Sequence, residues 1–222
     1  TNDYGIADLI TNTINVLYPI LTLNIMEATL RFAFDKDVSK DEVLFNSVIF
    51  VAISELIVVA VTPVVSIFSD SMQKYWIWFA IIFLGYNLQQ ILSQYVKGIG
   101  KTSVFAVSGV VHTVVLIASN IIGLLFLKLG LNAYLFSMVL GYAVAVLYLI
   151  IAGHVRIRTF NLNKMLLKDM LKFSLPTIPN NIAWWVSTSA DKYIIIGYLG
   201  IAASGIYSVA YKIPSILTLL SN

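Results

Sequence analysis

LFNSVIFVAISELIVVAVTPVVSIF, residues Leu44 to Phe68, runs 25 residues with a single charge, Glu55. A helix rises about 1.5 Å per residue and the hydrocarbon core of a bilayer is roughly 30 Å thick, so this stretch is long enough to span it. Six further segments read the same way: Ile6 to Leu30, Trp76 to Val96, Ser103 to Leu127, Asn132 to Gly153, Phe173 to Leu199, and Gly205 onward. Most connections between them are short, which forces neighbouring helices to run antiparallel. The expected fold is all-α, a polytopic transmembrane helical bundle.

Composition excludes most other classes. Of 222 residues, 59% are apolar and 11% charged, against about 45–50% and about 25% in soluble domains. So few charges cannot cover a water-soluble surface. The net charge of +3 does not point to nucleic acid, because the basic residues are scattered singly between apolar runs. With no cysteine, disulfides, thiol nucleophiles, iron–sulfur clusters and Cys-ligated zinc are excluded. His112 and His154 lie on separate segments, so neither a metal centre nor a cofactor is expected. Lys97-Gly98-Ile99-Gly100-Lys101 is too short for a phosphate-binding loop, and no Ser/His/Asp set sits at a common depth. The chain reads as a non-enzyme whose work would be driven by an ion gradient or by its substrate's own gradient. It starts at Thr1 and stops inside an apolar run, so both ends read as cut.

Orientation follows from the basic residues of alternating loops. Arg31, Lys36, Lys40, Lys97, Lys101, Arg156, Arg158, Lys164, Lys168 and Lys172 fall in one set, ten against only Lys74 and Lys128 in the other. The first set is therefore expected in the cytoplasm. In its longest loop Lys164, Lys168 and Lys172 recur every four residues, with Leu162, Met165, Leu166, Met170 and Leu171 between them. That pattern suits an amphipathic helix on the anionic inner leaflet, and a solvated linker is the plainer alternative. Expected organisation is a first lobe over 1–155, a linker over 156–172 and the start of a second lobe over 173–222. An offset of 200 aligns Tyr4-Gly5-Ile6 with Ser204-Gly205-Ile206, a faint repeat consistent with two similar halves.

Polar side chains inside spans cost free energy, and function is sought there. Glu27 and Arg31 are spaced for pairing on one helix face; snorkelling of Arg31 to the headgroups serves equally. Glu55 stands mid-span, so it must be neutral, paired or in water. Asn87, Gln90, Gln94, Lys97 and Lys101 form a polar stripe that either lines a cavity or joins helices through amides. Ser108, His112 and Ser119 form a thinner one. Asn180, Trp184, Ser187 and Asp191 share a face of the sixth span, with Asn181 and Thr188 adjoining. Asp191 and Lys192 point about 100° apart and need separate partners, and Lys212 adds a third intramembrane charge. Pro19, Pro63, Pro176, Pro179 and Pro214 all fall in or beside spans, where each removes a backbone donor and tends to bend the helix.

The runs Leu171-Lys172-Phe173-Ser174-Leu175-Pro176, Asp191-Lys192-Tyr193-Ile194-Ile195-Ile196-Gly197-Tyr198-Leu199-Gly200 and Gly205-Ile206-Tyr207-Ser208-Val209-Ala210-Tyr211-Lys212 resemble the middle of a Wzx-type polysaccharide exporter. These are the O-antigen and capsule flippases of the multidrug/oligosaccharidyl-lipid/polysaccharide superfamily. Tyr4-Gly5-Ile6-Ala7-Asp8-Leu9-Ile10 and Tyr95-Val96-Lys97-Gly98-Ile99-Gly100-Lys101 are similar in kind. The resemblance implies a two-lobe transporter in the bacterial plasma membrane, of which this chain supplies the second to eighth spans. Its substrate would be an undecaprenyl-diphosphate-linked oligosaccharide, with polysaccharide polymerase machinery as a partner. Arg31, Lys192 and Lys212 would then hold the diphosphate, while Gln90, Gln94, Asn181 and Trp184 would meet the sugars. A cation-coupled drug or lipid II exporter of the same superfamily would instead use Glu55 and Asp191 to bind the coupling ion. A membrane-embedded polysaccharide assembly enzyme is the third reading, and it would be expected to carry a large extracytoplasmic loop.

Overall fold

The computed structural model describes residues 2–66, 70–158 and 162–221, with side chains described except at residue 2, residues 63–73 and residues 212–221. The elements are α1 (Asn2–Leu21), α2 (Ile25–Phe34), α3 (Lys40–Ser66), α4 (Asp70–Gly98), α5 (Thr102–Ile121), α6 (Leu131–Ala152), α7 (Lys164–Ser174), α8 (Ile178–Leu199) and α9 (Ile201–Ser221). A π-helical turn, Ile122–Phe126, extends α5, and a 3-10 turn, Leu175–Thr177, joins α7 to α8. The all-α bundle read from hydropathy is the fold observed. Among the described residues, Lys40–Thr62, Lys74–Gly98, Thr102–Phe126 and Leu131–Ala152 are long and apolar enough to cross a membrane. The bent pair α1 and α2 makes a fifth crossing if the two are one span. The 22 residues of α8 supply the length of a span, but its polar face makes it less apolar than the others.

The first segment differs from the continuous helix the sequence suggests. α1 and α2 meet at 61°, and the cause is local. Pro19 cannot donate a backbone hydrogen bond, and Leu23 and Asn24 then adopt left-handed φ values of 49° and 52°. The backbone freed by the break is satisfied nearby, with Tyr18 O accepting from both Thr22 N at 3.0 Å and Thr22 Oγ1 at 2.7 Å.

Two apolar clusters are stacked along the bundle. One joins Ile6, Ile10, Ile14 and Tyr18 of α1 to Phe79, Ile82 and Phe83 of α4 and Leu131, Leu135 and Met138 of α6. The other joins Ile25, Ala28 and Ala33 of α2 to Val43, Leu44 and Val51 of α3, Ile91 and Val96 of α4, and Leu166 and Met170 of α7. Small residues permit the close approaches. A β-carbon at Gly98 would lie 2.6 Å from Ala33 Cβ and 3.0 Å from Leu30 O. Hydroxyls add polar links without opening the packing, as between Thr29 Oγ1 and Ser47 Oγ at 2.7 Å.

The ends of the bundle sort by charge. At one end Lys101 Nζ donates to Gly153 O at 2.9 Å and Asn163 Nδ2 to Glu42 Oε2 at 2.7 Å, so the Lys- and Arg-rich loops gather together. At the other, Gly5 lies against Ile201 and Gly130 against Asp3. Lys164–Ser174 is helical, as the periodicity of this stretch suggests. Asn163 caps it by accepting from Leu166 N at 3.0 Å. Leu166, Met170 and Ser174 are buried against the bundle while Met165 is 79% exposed, so α7 is docked along one face only.

Gly98→Ala should force α2 and α4 apart, an overpacking cost of about 1–3 kcal/mol. Thermal unfolding of purified protein should show a midpoint lowered by several degrees, whereas Gly109→Ala, whose methyl meets nothing within 4 Å, should leave it unchanged.

Candidate membrane-embedded polar site

Two polar stripes meet where α1 passes α8. On α1 the stripe is Asp8, Asn12 and Asn15, spaced four and three residues apart and so on one face. On α8 it is Asn181, Trp185, Thr188 and Lys192, with the same kind of spacing and the opposite chain direction. Asn12 and Ser189 are buried along this line. Trp185 Nε1 donates to Asn12 O at 3.1 Å. The Trp185 ring also packs on Tyr193, at 5.3 Å between centroids, and the Tyr193 hydroxyl is 3.0 Å from Thr13 Oγ1. Two turns beyond Trp185 the seam closes on a charge pair, Lys192 Nζ donating to Asp8 Oδ1 at 3.2 Å. The side chains retain 15% and 17% of their exposure, and Ser208 Oγ of α9 donates to Asp8 Oδ2 at 2.8 Å.

In the other direction the seam opens. Asn15, Tyr18, Pro19, Met26, Tyr86, Asn181, Trp184 and Trp185 line a cavity of about 330 Å³, within the usual size range of small-molecule sites. Its floor is the α1–α2 break, tied to the α7–α8 turn by Asn24 Nδ2 donating to Thr177 Oγ1 at 2.5 Å. Tyr18 is 3% exposed and its hydroxyl makes no hydrogen bond among the described residues. Trp184, at 67% exposure, leaves most of its indole free at the mouth. The wall therefore combines amides, which can both donate and accept, with broad aromatic faces.

The residues singled out from sequence fall into separate places. Asn181 and Trp184 line the cavity, and Gln90 lies one turn along α4 from Tyr86 of its lining without being part of it. Gln94, a turn further along α4, has a buried Oε1 without a partner among the described residues. Lys192 is the cation of the seam. Asp191 is exposed, accepts from the backbone N–H of Lys192 at 2.9 Å and is bonded by the Tyr207 hydroxyl. Arg31 is exposed at the end of α2, 4.0 Å from Asp35, so it pairs one turn forward instead of with Glu27 and does not join the seam. Glu55 lies on α3 with Oε2 buried and, among the described residues, unpartnered. The side chain of Lys212, like those of Pro63 and Pro214, lies outside the described residues. His112 stacks on Tyr142 at 4.6 Å, and its buried Nε2 has no partner among the described residues.

Sequence reading missed Asp8, Asn12 and Asn15. Their helical spacing was visible, but nothing in it named α8 as the partner.

A multi-pass helical membrane protein with a polar intramembrane seam is thus defined. The sequence profile of the polysaccharide biosynthesis protein family matches residues 1–222, and the chain belongs to that family. Comparison with curated proteins and with solved structures gives no match.

The ion pair is partly buried, so removing one partner strands the other charge. Asp8→Asn and Lys192→Gln should each lower stability, by at most roughly the 3–5 kcal/mol of a fully buried pair. The double variant should melt closer to wild type than either single one. Additive losses in thermal denaturation would show that the two side chains are not coupled.

Proposed function

We propose that this chain forms part of a transporter that carries a lipid-linked oligosaccharide across the bilayer for cell-surface polysaccharide synthesis. The undecaprenyl-diphosphate carrier named by the resemblance fits the chemistry of the seam. The observation that carries the reading is the cavity between α1 and α8. Sugars present alternating hydroxyls and flat, weakly apolar C–H faces. Amides of Asn15 and Asn181 match the former, and the indoles of Trp184 and Trp185 match the latter. A transporter also has to replace the water that a polar headgroup leaves behind, and in hydrocarbon only a pre-built polar lining can do that. Lys192 supplies positive charge on the same seam for the carrier's phosphates. Membership of a polysaccharide biosynthesis family supports this process, and a bundle with a polar interior suits movement of a precursor better than bond chemistry.

Coupling to a cation is a second feature that one observation favours. Glu55 is a mid-span acid with an unpartnered buried oxygen, which a bound proton or sodium ion would satisfy. An ion-coupled exporter of another substrate would use the same residue.

Trp184→Ala tests the first reading, because the exposed indole contributes little to folding. In a bacterial strain lacking its own exporter, surface polysaccharide should fall roughly tenfold, the equivalent of about 1.4 kcal/mol, at unchanged protein level. Trp184→Phe should retain most export. Full export by Trp184→Ala would remove the cavity from the transport path.

A further inference from the structure

Lys192 is only partly used by the contacts it makes. An ammonium has three donors, and among the described residues its Nζ donates to one atom, Asp8 Oδ1 at 3.2 Å. Asp191, its sequence neighbour, is held elsewhere by the Tyr207 hydroxyl and the Lys192 backbone N–H. Asp8 is itself oriented from a third helix, since Ser208 donates to its second oxygen at 2.8 Å. The result is one cation with spare donors and one anion held on it by a hydroxyl.

We propose that Lys192 is a binding site for an oxyanion of the transported molecule, and that Asp8 is the internal anion occupying it while α1 and α8 are closed together. Ligand and Asp8 compete for one ammonium, and Ser208 biases the competition by holding Asp8 in place. This rests on the carrier reading above and adds to it the rule by which the seam opens.

The energetics dictate the rule. Separating α1 from α8 would leave two charges, each about five-sixths buried, without partners, and an unpaired charge out of water is far more costly than a paired one. An incoming oxyanion removes half of that cost by taking the place of Asp8 on Lys192. A neutral molecule offers no such exchange, so the seam discriminates for acidic cargo. Two groups on a lipid-linked glycan have this chemistry, the diphosphate of the carrier and the carboxylate of an acidic sugar. A diphosphate presents more oxygens to the three donors of an ammonium that Asp8 has vacated.

The test uses the purified chain in nanodiscs of zwitterionic lipid, with inorganic pyrophosphate and glucuronate titrated separately and binding read by calorimetry. Asp8→Asn removes the competitor and should bind one of the two probes at least about tenfold more tightly than wild type. Lys192→Gln should abolish that binding, and Ser208→Ala should tighten it by a smaller factor. The probe that responds identifies the acidic group. Equal or weaker binding by Asp8→Asn, or undiminished binding by Lys192→Gln, overturns the proposal, as does absence of binding to every variant. Should Asp8→Asn not elute as a single folded species, Ser208→Ala decides alone, and unchanged affinity there is negative. Pyrophosphate binding that ignores Asp8 would end the competition while leaving the carrier reading to the export assay.

Discussion

Hydrocarbon offers no hydrogen bonds, so a chain inside it must satisfy its own backbone, and every irregularity in this bundle has to be answered locally. The break between α1 and α2 shows how. Pro19 withholds one donor, the chain turns through two left-handed residues, and Tyr18 O accepts two bonds from Thr22. Asn24 then reaches across to Thr177, where a second interruption separates α7 from α8. The α1–α2 break and the α7–α8 turn are thus fastened to each other. The cavity lies directly above this junction because side chains cannot close over a bend as they do over a straight helix.

That placement explains why the polar residues of α1 and α8 are tolerated. A transmembrane amide is normally retained where it joins helices or faces a cavity, and both uses occur along one seam. The Asn12 backbone carbonyl accepts from Trp185 and the hydroxyls of Thr13 and Tyr193 share a hydrogen bond, so these close the contact, while the Asn12 amide donates along its own helix to Asp8 O. Asn15 and Asn181 stand where the helices diverge, and they line open space. A single pair of stripes therefore changes from glue to lining along its length, and the α1–α2 bend sets where the change falls.

Hydropathy made the helical spans legible because lipid imposes length and apolarity on each crossing. The linker helix was legible too, since Leu166 and Met170 recur on one side of Lys164, Lys168 and Lys172, and the docked face is that side. Pairing between helices was not. Arg31 has a carboxylate one turn away in each direction, Glu27 and Asp35, and spacing alone favours neither; at the exposed end of α2 it meets Asp35. Asp8 sits near the start of an apolar run, where a charge reads as an interfacial marker. Only the close approach of α1, α8 and α9 shows it to be the partner of Lys192. The bend was half legible, because Pro19 announces an irregularity without saying that Leu23 and Asn24 will absorb it.

The contact between α1 and α9 falls on positions 200 residues apart. Offsetting the chain by 200 residues superposes Gly5 on Gly205 and Asp8 on Ser208, and it is Asp8 and Ser208 that share a hydrogen bond, from α1 to α9. Gly5 also approaches Ile201 so closely that a β-carbon would lie 2.4 Å from its carbonyl oxygen. The hydroxyl on α9 occupies one carboxylate oxygen of Asp8 and leaves the other to face the Lys192 ammonium. Three helices therefore meet at one carboxylate, and the contact of α1 with α9 fixes the direction from which Asp8 reaches α8.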